Sequence, residues 1–452
     1  MNWMLKTVFS AFISVVLFTP LLSGLSIADN SMQINIYGPG ESKINTYLAP
    51  SRPLSDQTDE TQTPSRVKDL HRLIQENLAF LPFIHFVPEK DIIGGAHVRG
   101  LAQRDLDFKR FQLSQLDLLC TVGWSTGSSN KEKVELRAFD VYTKRMMLGR
   151  GYVLGSSRHV EQASQRFCAD LMQALTGRSG FFVSELAFVR KTETDKDICV
   201  CTPQGRSLRT VVDLDGYCLS PAWSGDGQQL AMSFVGQSQH EFLLWYEKDS
   251  SLQRTTLPGN TIISPTYWPG QGWVISADPR NSPDIFLLND DLTLGQPLVE
   301  HWAIDISPHF DATGKHMVFV SSRFGNPHIF LRQMDNGEVE RISFEGTYNT
   351  NPSISPDGRF VAYSRLIKDQ GHRIIVYDRQ KKTERQVTFG PGNDEDPAWG
   401  PDSYFLAFSS DRSETYQLYI TTRHADTARR IPTGQGAATS PAWKPNTERF
   451  SH

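Results

Sequence analysis

The C-terminal half of the chain repeats one pattern of apolar and polar positions. Each copy has a proline, a short apolar stretch, a turn rich in glycine, aspartate and asparagine, and then strand-like runs such as Val318–Ser322 and Ile329–Arg332. The clearest copy is Ser220–Gly227, with the sequence SPAWSGDG. Its proline recurs at intervals of 43 to 45 residues, as Pro221, Pro265, Pro308, Pro352, Pro397 and Pro441. Several short β segments in a fixed period of this length are typical of one blade of a β-propeller.

The two ends of the repeat predict the number of blades. The last copy opens at Ser440 with a single strand, whereas Leu186–Arg190, Asp197–Thr202 and Leu208–Val212 predict three strands without an opening copy. Five whole units and this one divided unit predict six blades. The last strand would then complete the first blade and remove the free edges of the ring. We therefore expect an all-β six-bladed propeller over residues 179–452, closed by the last strand.

The N-terminal half alternates strands with helices. Apolar residues recur with a helical period over Arg66–Ala79 and over Ser157–Leu175, where Ser157 is a candidate N-cap and Gly177 a helix stop. Shorter apolar or alternating runs predict strands at Ile44–Leu48, Phe83–Val87, Leu116–Trp124 and Lys133–Val141. This alternation predicts a small α/β domain over residues 29–178, ahead of the propeller.

The first 28 residues predict a cleavable secretory signal. Lys6 precedes the apolar run Val8–Leu22, and Ser26 and Ala28 supply small residues at positions −3 and −1 of a cleavage site. The apolar run is shorter than the roughly 20 residues that a membrane span needs, which favours cleavage after Ala28 over a retained anchor. We expect an exported protein that does not span the membrane.

Composition narrows the class of function. A net charge of −4 offers no basic field for nucleic acid. The five cysteines leave at least one thiol unpaired, and we interpret them as small apolar core residues: Cys120, Cys168, Cys199, Cys201 and Cys218. The sequence has no serine-hydrolase elbow, zinc-protease motif or phosphate-binding Walker loop. We therefore predict no catalytic residue, no metal site and no cofactor.

Three tryptophans occupy equivalent positions in the repeat, namely Trp223, Trp399 and Trp443. Large aromatic side chains at one repeated position are more often packing residues than ligand-binding residues. We expect these indoles to pack between neighbouring blades.

Three stretches carry a family resemblance. They are Phe167–Val189 (FCADLMQALTGRSGFFVSELAFV), Val318–Gly358 and the terminal Ser440–Asn446 (SPAWKPN). In these stretches the chain resembles the TolB family, the periplasmic component of the Tol–Pal system. The resemblance extends over nearly all of the chain after the signal and is weaker over residues 49–130.

The resemblance implies a non-enzymatic scaffold of the periplasm. Members of the family bind Pal, a peptidoglycan-associated outer-membrane lipoprotein, at the mouth of the propeller. They bind the periplasmic domain of TolA through the extreme N-terminus of the mature chain. The system supports outer-membrane integrity and constriction during cell division, so the resemblance implies these roles and these two partners here.

The residues just before each repeat proline are the expected Pal site. They lie where strands enter near the propeller axis, so six loops crowd one opening. The favoured residues are Asp305, Ser307, Tyr348, Asn349, Asn351, Asp394 and Asp396. The expected TolA site is the segment Asp29–Gly40, a short strand pattern ending in Gly-Pro-Gly that can pair with the sheet edge of another protein. Its favoured residues are Asp29, Asn30, Gln33, Ile34 and Ile36.

Two other functions stay open at this point. Propellers also host hydrolases, and the carboxylates available for catalysis at the mouth are those of Asp305, Asp394 and Asp396. Alternatively, the chain is an envelope propeller that binds a small molecule or a metal ion in its axial channel. Turnover of a glycoside or peptide library would favour the first, and a thermal shift with calcium would favour the second.

Overall fold

A computed structural model describes most of the chain. The described residues are 43–54, 62–95, 98, 100–126, 131–236 and 240–446. The expected signal peptide and the expected TolA segment Asp29–Gly40 lie outside them. Within the described ranges, no helix combines the length and the apolar character needed to cross a membrane.

The N-terminal part is a mixed sheet with helices. Its elements are β1 (Ile44–Leu48), β2 (Arg52–Pro53), α1 (Ser65–Phe80), β3 (Ile84–Phe86), α2 (Phe108–Leu113), β4 (Leu118–Thr126), β5 (Glu132–Asp140), β6 (Met146–Leu154) and α3 (Ser157–Thr176), with short 3-10 turns at Glu89–Asp91 and Gln103–Asp105. The strand order is β3-β1-β4-β5-β6, with β2 beside β4. The pairs of β1 with β3 and β4 are parallel, and β4, β5 and β6 are antiparallel. The predicted helices and strands are present here, and β6 was not foreseen.

The N-cap of α3 differs from the prediction. Ser156, not Ser157, is the capping residue, because its Oγ accepts a hydrogen bond from the backbone N–H of His159 at 3.3 Å. Gly177 ends the helix in the left-handed conformation (φ 70°), as the sequence predicted. The two adjacent serines are indistinguishable by pattern, and only the backbone geometry selects one.

Replacing Ser156 by alanine is expected to lower the free energy of unfolding by about 1 kcal/mol, because the cap removes one unsatisfied donor of the first helical turn. Denaturant unfolding of the full chain measures this. Ser157→Ala is the matched control, since Ser157 already lies inside the helix. Equal losses in the two variants would contradict the assignment of the cap.

The rest of the chain is a β-propeller fold. Most of its strands are four to nine residues long, and a few are shorter. The strands before the first complete repeat are β7 (Leu186–Lys191), β8 (Lys196–Cys201) and β9 (Arg209–Val212). The next four are β10 (Tyr217–Trp223), β11 (Gln229–Val235), β12 (His240–Tyr246) and β13 (Leu252–Thr256). They are followed by β14 (Ile262–Trp268), β15 (Gly272–Ala277), β16 (Asp284–Leu288) and β17 (Leu294–Val299).

Three further units complete the C-terminal part. The first is β18 (Asp305–Phe310), β19 (His316–Phe324), β20 (Asn326–Gln333) and β21 (Val339–Arg341). The second is β22 (Asn349–Ile354), β23 (Phe360–Ile367), β24 (Gly371–Asp378) and β25 (Thr383–Gln386). The last is β26 (Asp394–Trp399), β27 (Phe405–Ser413), β28 (Thr415–Thr422) and β29 (Arg429–Arg430), followed by β30 (Ala437–Trp443).

These strands form four sheets of four antiparallel strands and one larger sheet. Each four-stranded sheet follows the chain order, from β14–β17 to β26–β29. The larger sheet has the order β13-β12-β11-β10-β8-β7-β30, with β9 beside β8. Its two halves meet at the single residue pair Tyr217–Lys196. The last strand β30 lies antiparallel to β7, with Trp443 opposite Leu186.

A bulge recurs at the repeat proline in the first strand of each unit. The residue before the proline has a φ between 50° and 56° in all six copies, and the strand pairing shifts there: Ser220, Ser264, Ser307, Asn351, Asp396 and Ser440. Non-glycine residues rarely adopt this left-handed conformation, and asparagine and aspartate tolerate it best. The repeated motif therefore encodes a backbone geometry as well as a turn.

Two of the three repeat tryptophans, Trp399 and Trp443, join neighbouring sheets, as predicted. The indole Nε1 of Trp399 donates to the Ser353 carbonyl and that of Trp443 to the Ala398 carbonyl, both at 3.1 Å. Trp223 packs edge-on against Trp245. All three indoles are largely buried and contribute apolar packing, and those of Trp399 and Trp443 also donate a hydrogen bond.

The cysteines are buried free thiols, which confirms their interpretation as core residues. Burial raises the pKa of the Cys120, Cys201 and Cys218 thiols to about 12. A thiol with so high a pKa is almost never a thiolate near neutral pH and is therefore unreactive.

Candidate functional site

The mouth face is the end of the propeller at which the first strands begin. Neighbouring antiparallel strands alternate in direction. The loop that enters each first strand therefore lies at the same end as the hairpin between the second and third strands. On β18–β29 this end carries the predicted Pal-site residues and a set of exposed aromatic side chains.

Three of the predicted contact residues are buried. Asp305, Asn349 and Asp394 begin the strands β18, β22 and β26, and each has an exposed fraction of 0%. Each side chain contacts an arginine. Asp305 lies 3.2 Å from Arg323, Asn349 accepts a hydrogen bond from Arg365 at 3.0 Å, and Asp394 lies 2.7 Å from Arg412. These three side chains lie beneath the surface and hold the arginines, and this burial does not favour the expected contact with a partner.

Arg365 is the centre of the most extensive of these polar groups. Its guanidinium contacts the Glu384 carboxylate at 2.6 Å and donates to the Tyr363 hydroxyl at 3.0 Å. Burial and the nearby Arg341 and Arg365 lower the pKa of His328, whose Nδ1 lies 3.3 Å from the Asn349 amide. His328 is therefore held neutral, and the cation at this position is the arginine. A fully bonded buried network of this kind fixes the loops above it.

Three predicted residues lie nearer the axis and connect neighbouring first strands. The Asn351 amide donates to the Asp396 carboxylate, whose other oxygen accepts from the Ser440 backbone N–H at 3.3 Å. The Ser307 hydroxyl lies 3.4 Å from that of Ser264. Asn351 is exposed, and Ser307 and Asp396 are half-buried. These side chains therefore link the first strands of neighbouring sheets.

Tyr348 belongs to a larger set of exposed apolar side chains at the mouth face. Its ring is 43% exposed and lies edge-on to His372, with the ring centroids 6.0 Å apart. We call this set the aromatic rim, and its members are Trp302, Ile304, Phe324, Phe344, Tyr348, Leu366 and Phe389. Trp302 is 77% exposed, Phe344 69% and Phe324 66%. Clustered exposure of large apolar groups marks protein-binding surfaces.

An arginine holds two rim side chains in place. The guanidinium of Arg341 lies 5.8 Å from the ring centre of Phe324 and 5.4 Å from that of Phe344. Its Nε also donates to the Ser343 carbonyl at 2.7 Å, which fixes the guanidinium between the rings. Cation–π contacts at exposed sites stabilise by about 0.5–1 kcal/mol. The rim is therefore partly ordered before any partner arrives.

Sequence reasoning missed six of the seven rim residues, because it considered only positions next to the repeat prolines. A signal was present: Phe344 precedes Glu345-Gly346, and Phe389 precedes Gly390-Pro391-Gly392. A phenylalanine inside a glycine-containing turn segment has little core to enter, so it is a candidate surface contact.

The carboxylates named for a possible catalytic site are held apart from one another. Asp305 and Asp394 each pair with an arginine of their own sheet, and Asp396 binds the first strands on either side. In the part of the chain that the structure describes, no three His, Cys, Asp or Glu side chains group as metal ligands would.

Comparison with known proteins agrees with this fold. The family model described as the TolB beta propeller domain matches residues 172–447. The Tol-Pal system protein TolB of Nitratidesulfovibrio vulgaris is 42% identical over 321 residues, which cover 71% of this chain and 72% of the relative. A protein TolB homolog of Chlorobium luteolum is 28% identical over 273 residues, or 60% of this chain and 61% of that relative, which is less than two thirds of its length.

A solved structure shows the same architecture. The crystal structure of TolB from Acinetobacter baumannii superposes with a TM-score of 0.76 at 19% identity, covering 90% of this chain and 98% of that one. At this identity the likeness supports the fold alone. Together with the family model and the relative at 42% identity, it leads to one conclusion: this chain belongs to the TolB family of the Tol–Pal system.

Proposed function

We propose that this protein is a periplasmic scaffold of the Tol–Pal system that binds Pal at the mouth face and TolA through residues 29–40. In this role it is exported with cleavage after Ala28, has no enzymatic activity, and supports outer-membrane integrity and constriction during cell division. The observation that carries the proposal is the aromatic rim, which lies at the mouth of a propeller of the TolB family.

The proposed architecture is a signal at residues 1–28, an α/β domain at 29–178 and a closed six-bladed propeller at 179–452. Two blades would share the larger sheet, one made of β10–β13 and the other of β7, β8, β9 and β30. The single bridge between Tyr217 and Lys196 supports this division, since two strands of one blade would pair over several residues. The antiparallel pairing of β30 with β7 supports closure by the last strand.

The Pal site would combine the aromatic rim with the axial residues Ser307, Asn351 and Asp396. Interface energy is concentrated in a few aromatic and arginine side chains that become fully buried on binding. Phe324, Phe344 and Arg341 already form such a group, and their contacts reduce the entropy lost on docking. Asp305, Asn349 and Asp394 would act indirectly, by fixing the strands that carry the rim.

Replacing Phe344 by alanine is expected to weaken Pal binding by at least about tenfold, because a central aromatic anchor is worth about 2 kcal/mol or more. Tyr348→Ala and Asn351→Ala are expected to weaken it less. Calorimetric titration of purified Pal into the full protein measures the affinity.

Leu113→Ala is the matched control for this test, since Leu113 is 60% exposed but belongs to α2 of the N-terminal part. It should leave the Pal affinity unchanged. A variant that combines Phe344→Ala and Tyr348→Ala, keeps its melting temperature and binds Pal with unchanged affinity would contradict the assignment of the rim to the Pal site.

Deletion of residues 29–40 is expected to abolish crosslinking to TolA while Pal binding and the melting temperature of the propeller are retained. The alternating Ile34 and Ile36 would pack on the partner when this segment pairs with its sheet edge. A chain that carries the same twelve positions in scrambled order controls for length. Crosslinking that survives the deletion would place the TolA site elsewhere.

A further inference from the structure

In the part of the chain that the structure describes, β6, the outermost strand of the N-terminal sheet, has a free edge. It is nine residues long and pairs on one side only, with β5. Five of its residues are exposed: Met146, Gly149, Arg150, Gly151 and Val153. A long exposed edge is a template for strand pairing, which proteins ordinarily prevent with charges, prolines or short strands.

The outer edges of the propeller sheets all have such protection, in the part of the chain that the structure describes. β21 and β29 have three and two residues, and β9, β13 and β25 carry exposed or half-buried arginines. β17 contains Pro297. The opposite edge of the N-terminal sheet, β3, has three residues. β6 is the longest of these edges, with nine residues, and it has no proline and a single charged residue, Arg150, which is bound to Asp170.

The backbone of β6 is open to an incoming strand. The Gly149 carbonyl accepts a hydrogen bond from the Arg150 guanidinium at 3.1 Å, so this carbonyl is turned toward the free edge. Alternate residues of a strand direct their backbone groups to the same edge, so Gly151 shares this direction. A Cβ added at Gly151 would meet only the Val134 carbonyl, at 3.9 Å, so the sheet face at this position has room for a side chain.

The charge around this edge is positive. Lys144 and Arg145 precede β6, Arg158 follows it and Lys133 lies across from it on β5, and all four are exposed. Among the neighbouring carboxylates, Glu135 pairs with Arg137 and Asp170 with Arg150, whereas Asp140 accepts hydrogen bonds from the backbone N–H groups of Tyr142 and Thr143. We propose that the free edge of β6 is a docking site for an extended, acidic segment of another protein, which adds to the sheet as a further strand.

A second copy of this chain is a poorer occupant. Antiparallel pairing of two β6 edges about their centre would bring Lys144 and Arg145 of each copy toward Arg158 of the other. Like charges directly opposite on paired strands are destabilising. An acidic partner strand relieves the same charges.

The test uses the full protein and a synthetic nine-residue peptide of alternating valine and glutamate. Hydrogen exchange should slow at residues 146–154 by at least about tenfold when the peptide is added in excess, and β13 should be unaffected. The same peptide with lysine for glutamate should give no protection. Two N-methylated peptides, one modified at the odd and one at the even positions, extend the test. Only one of them should lose binding, because a strand binds through the backbone groups of one edge.

Gly151→Pro removes an edge donor and should abolish this protection, whereas Gly151→Ala keeps the donor and should retain it. If Gly151→Pro lowers the melting temperature, the N-methylated peptides decide the question on the unaltered protein. No protection of β6, or equal protection by the lysine peptide, would overturn the proposal. A second copy would be the occupant if β6 were protected without peptide, if this protection rose with protein concentration, and if sedimentation gave a doubled mass. That result would also overturn the proposal.

Discussion

A chain that ends before Ala437, and so lacks β30, is expected to be unable to hold a stable fold. The truncation removes Trp443, whose ring lies 5.7 Å from Phe181 and whose Nε1 donates to the Ala398 carbonyl. Losing a buried tryptophan alone costs about 3–5 kcal/mol, a large part of the 5–15 kcal/mol that stabilises a typical domain. The truncated chain also exposes the edge of β7, which invites aggregation. Thermal unfolding and light scattering measure both effects.

A stop codon after Asn446 is the matched control, because it shortens the chain but leaves β30 and its contacts intact. The point variant Trp443→Ala should fall between the two, with a lower melting temperature in a protein that still folds. A soluble truncate lacking β30 that melts at the temperature of the full chain would show that the last strand does not complete a blade.

Asp394→Ala is expected to lower the free energy of unfolding by about 3–5 kcal/mol, because it leaves buried cations without their carboxylate. Asp394 has an exposed fraction of 0% and lies 2.7 Å from Arg412 and 3.7 Å from Arg373. Both arginines are largely buried, so water does not replace the lost partner. Denaturant unfolding of the full protein measures the change.

Asp394→Asn is the control, since it removes the charge but keeps the side-chain size and one acceptor oxygen, and it should cost less than alanine. Both variants should bind Pal with unchanged affinity under conditions in which they are folded. Weakened Pal binding with unchanged stability would return Asp394 to the contact surface and contradict its supporting role.

Much of the architecture was predictable because the repeat is written in residues with strong local preferences. Proline fixes the backbone dihedral φ, and glycine and aspartate favour turns, at regular intervals, so the positions of the propeller strands followed from them. The strand Ile44–Leu48 and the helices α1 and α3 followed from apolar periodicity. The number of blades and the closure by β30 stay predictions, supported by the pairing of β30 with β7.

The candidate site was only partly predictable. The repeat pattern indicated which loops lie at the mouth. It did not distinguish Asp394, which is buried and bound to Arg412, from Asp396, which is half-buried. Burial depends on which arginines arrive from neighbouring strands, and Arg373 and Arg412 come from different sheets. The rim residues Phe324 and Phe344 are likewise separated along the chain and meet through Arg341.

The sequence by itself determined the repeat, the strand positions, the packing role of the tryptophans and the family resemblance, because each depends on local backbone preference and regular spacing. The tertiary structure alone decided which polar residues before the prolines are buried, which apolar side chains stay exposed at the mouth face, and which sheet edge stays free. Those outcomes depend on contacts between residues far apart in the chain. The repeat proline thus marks the mouth of the propeller, and the fold assigns each residue beside it to the core or to the surface.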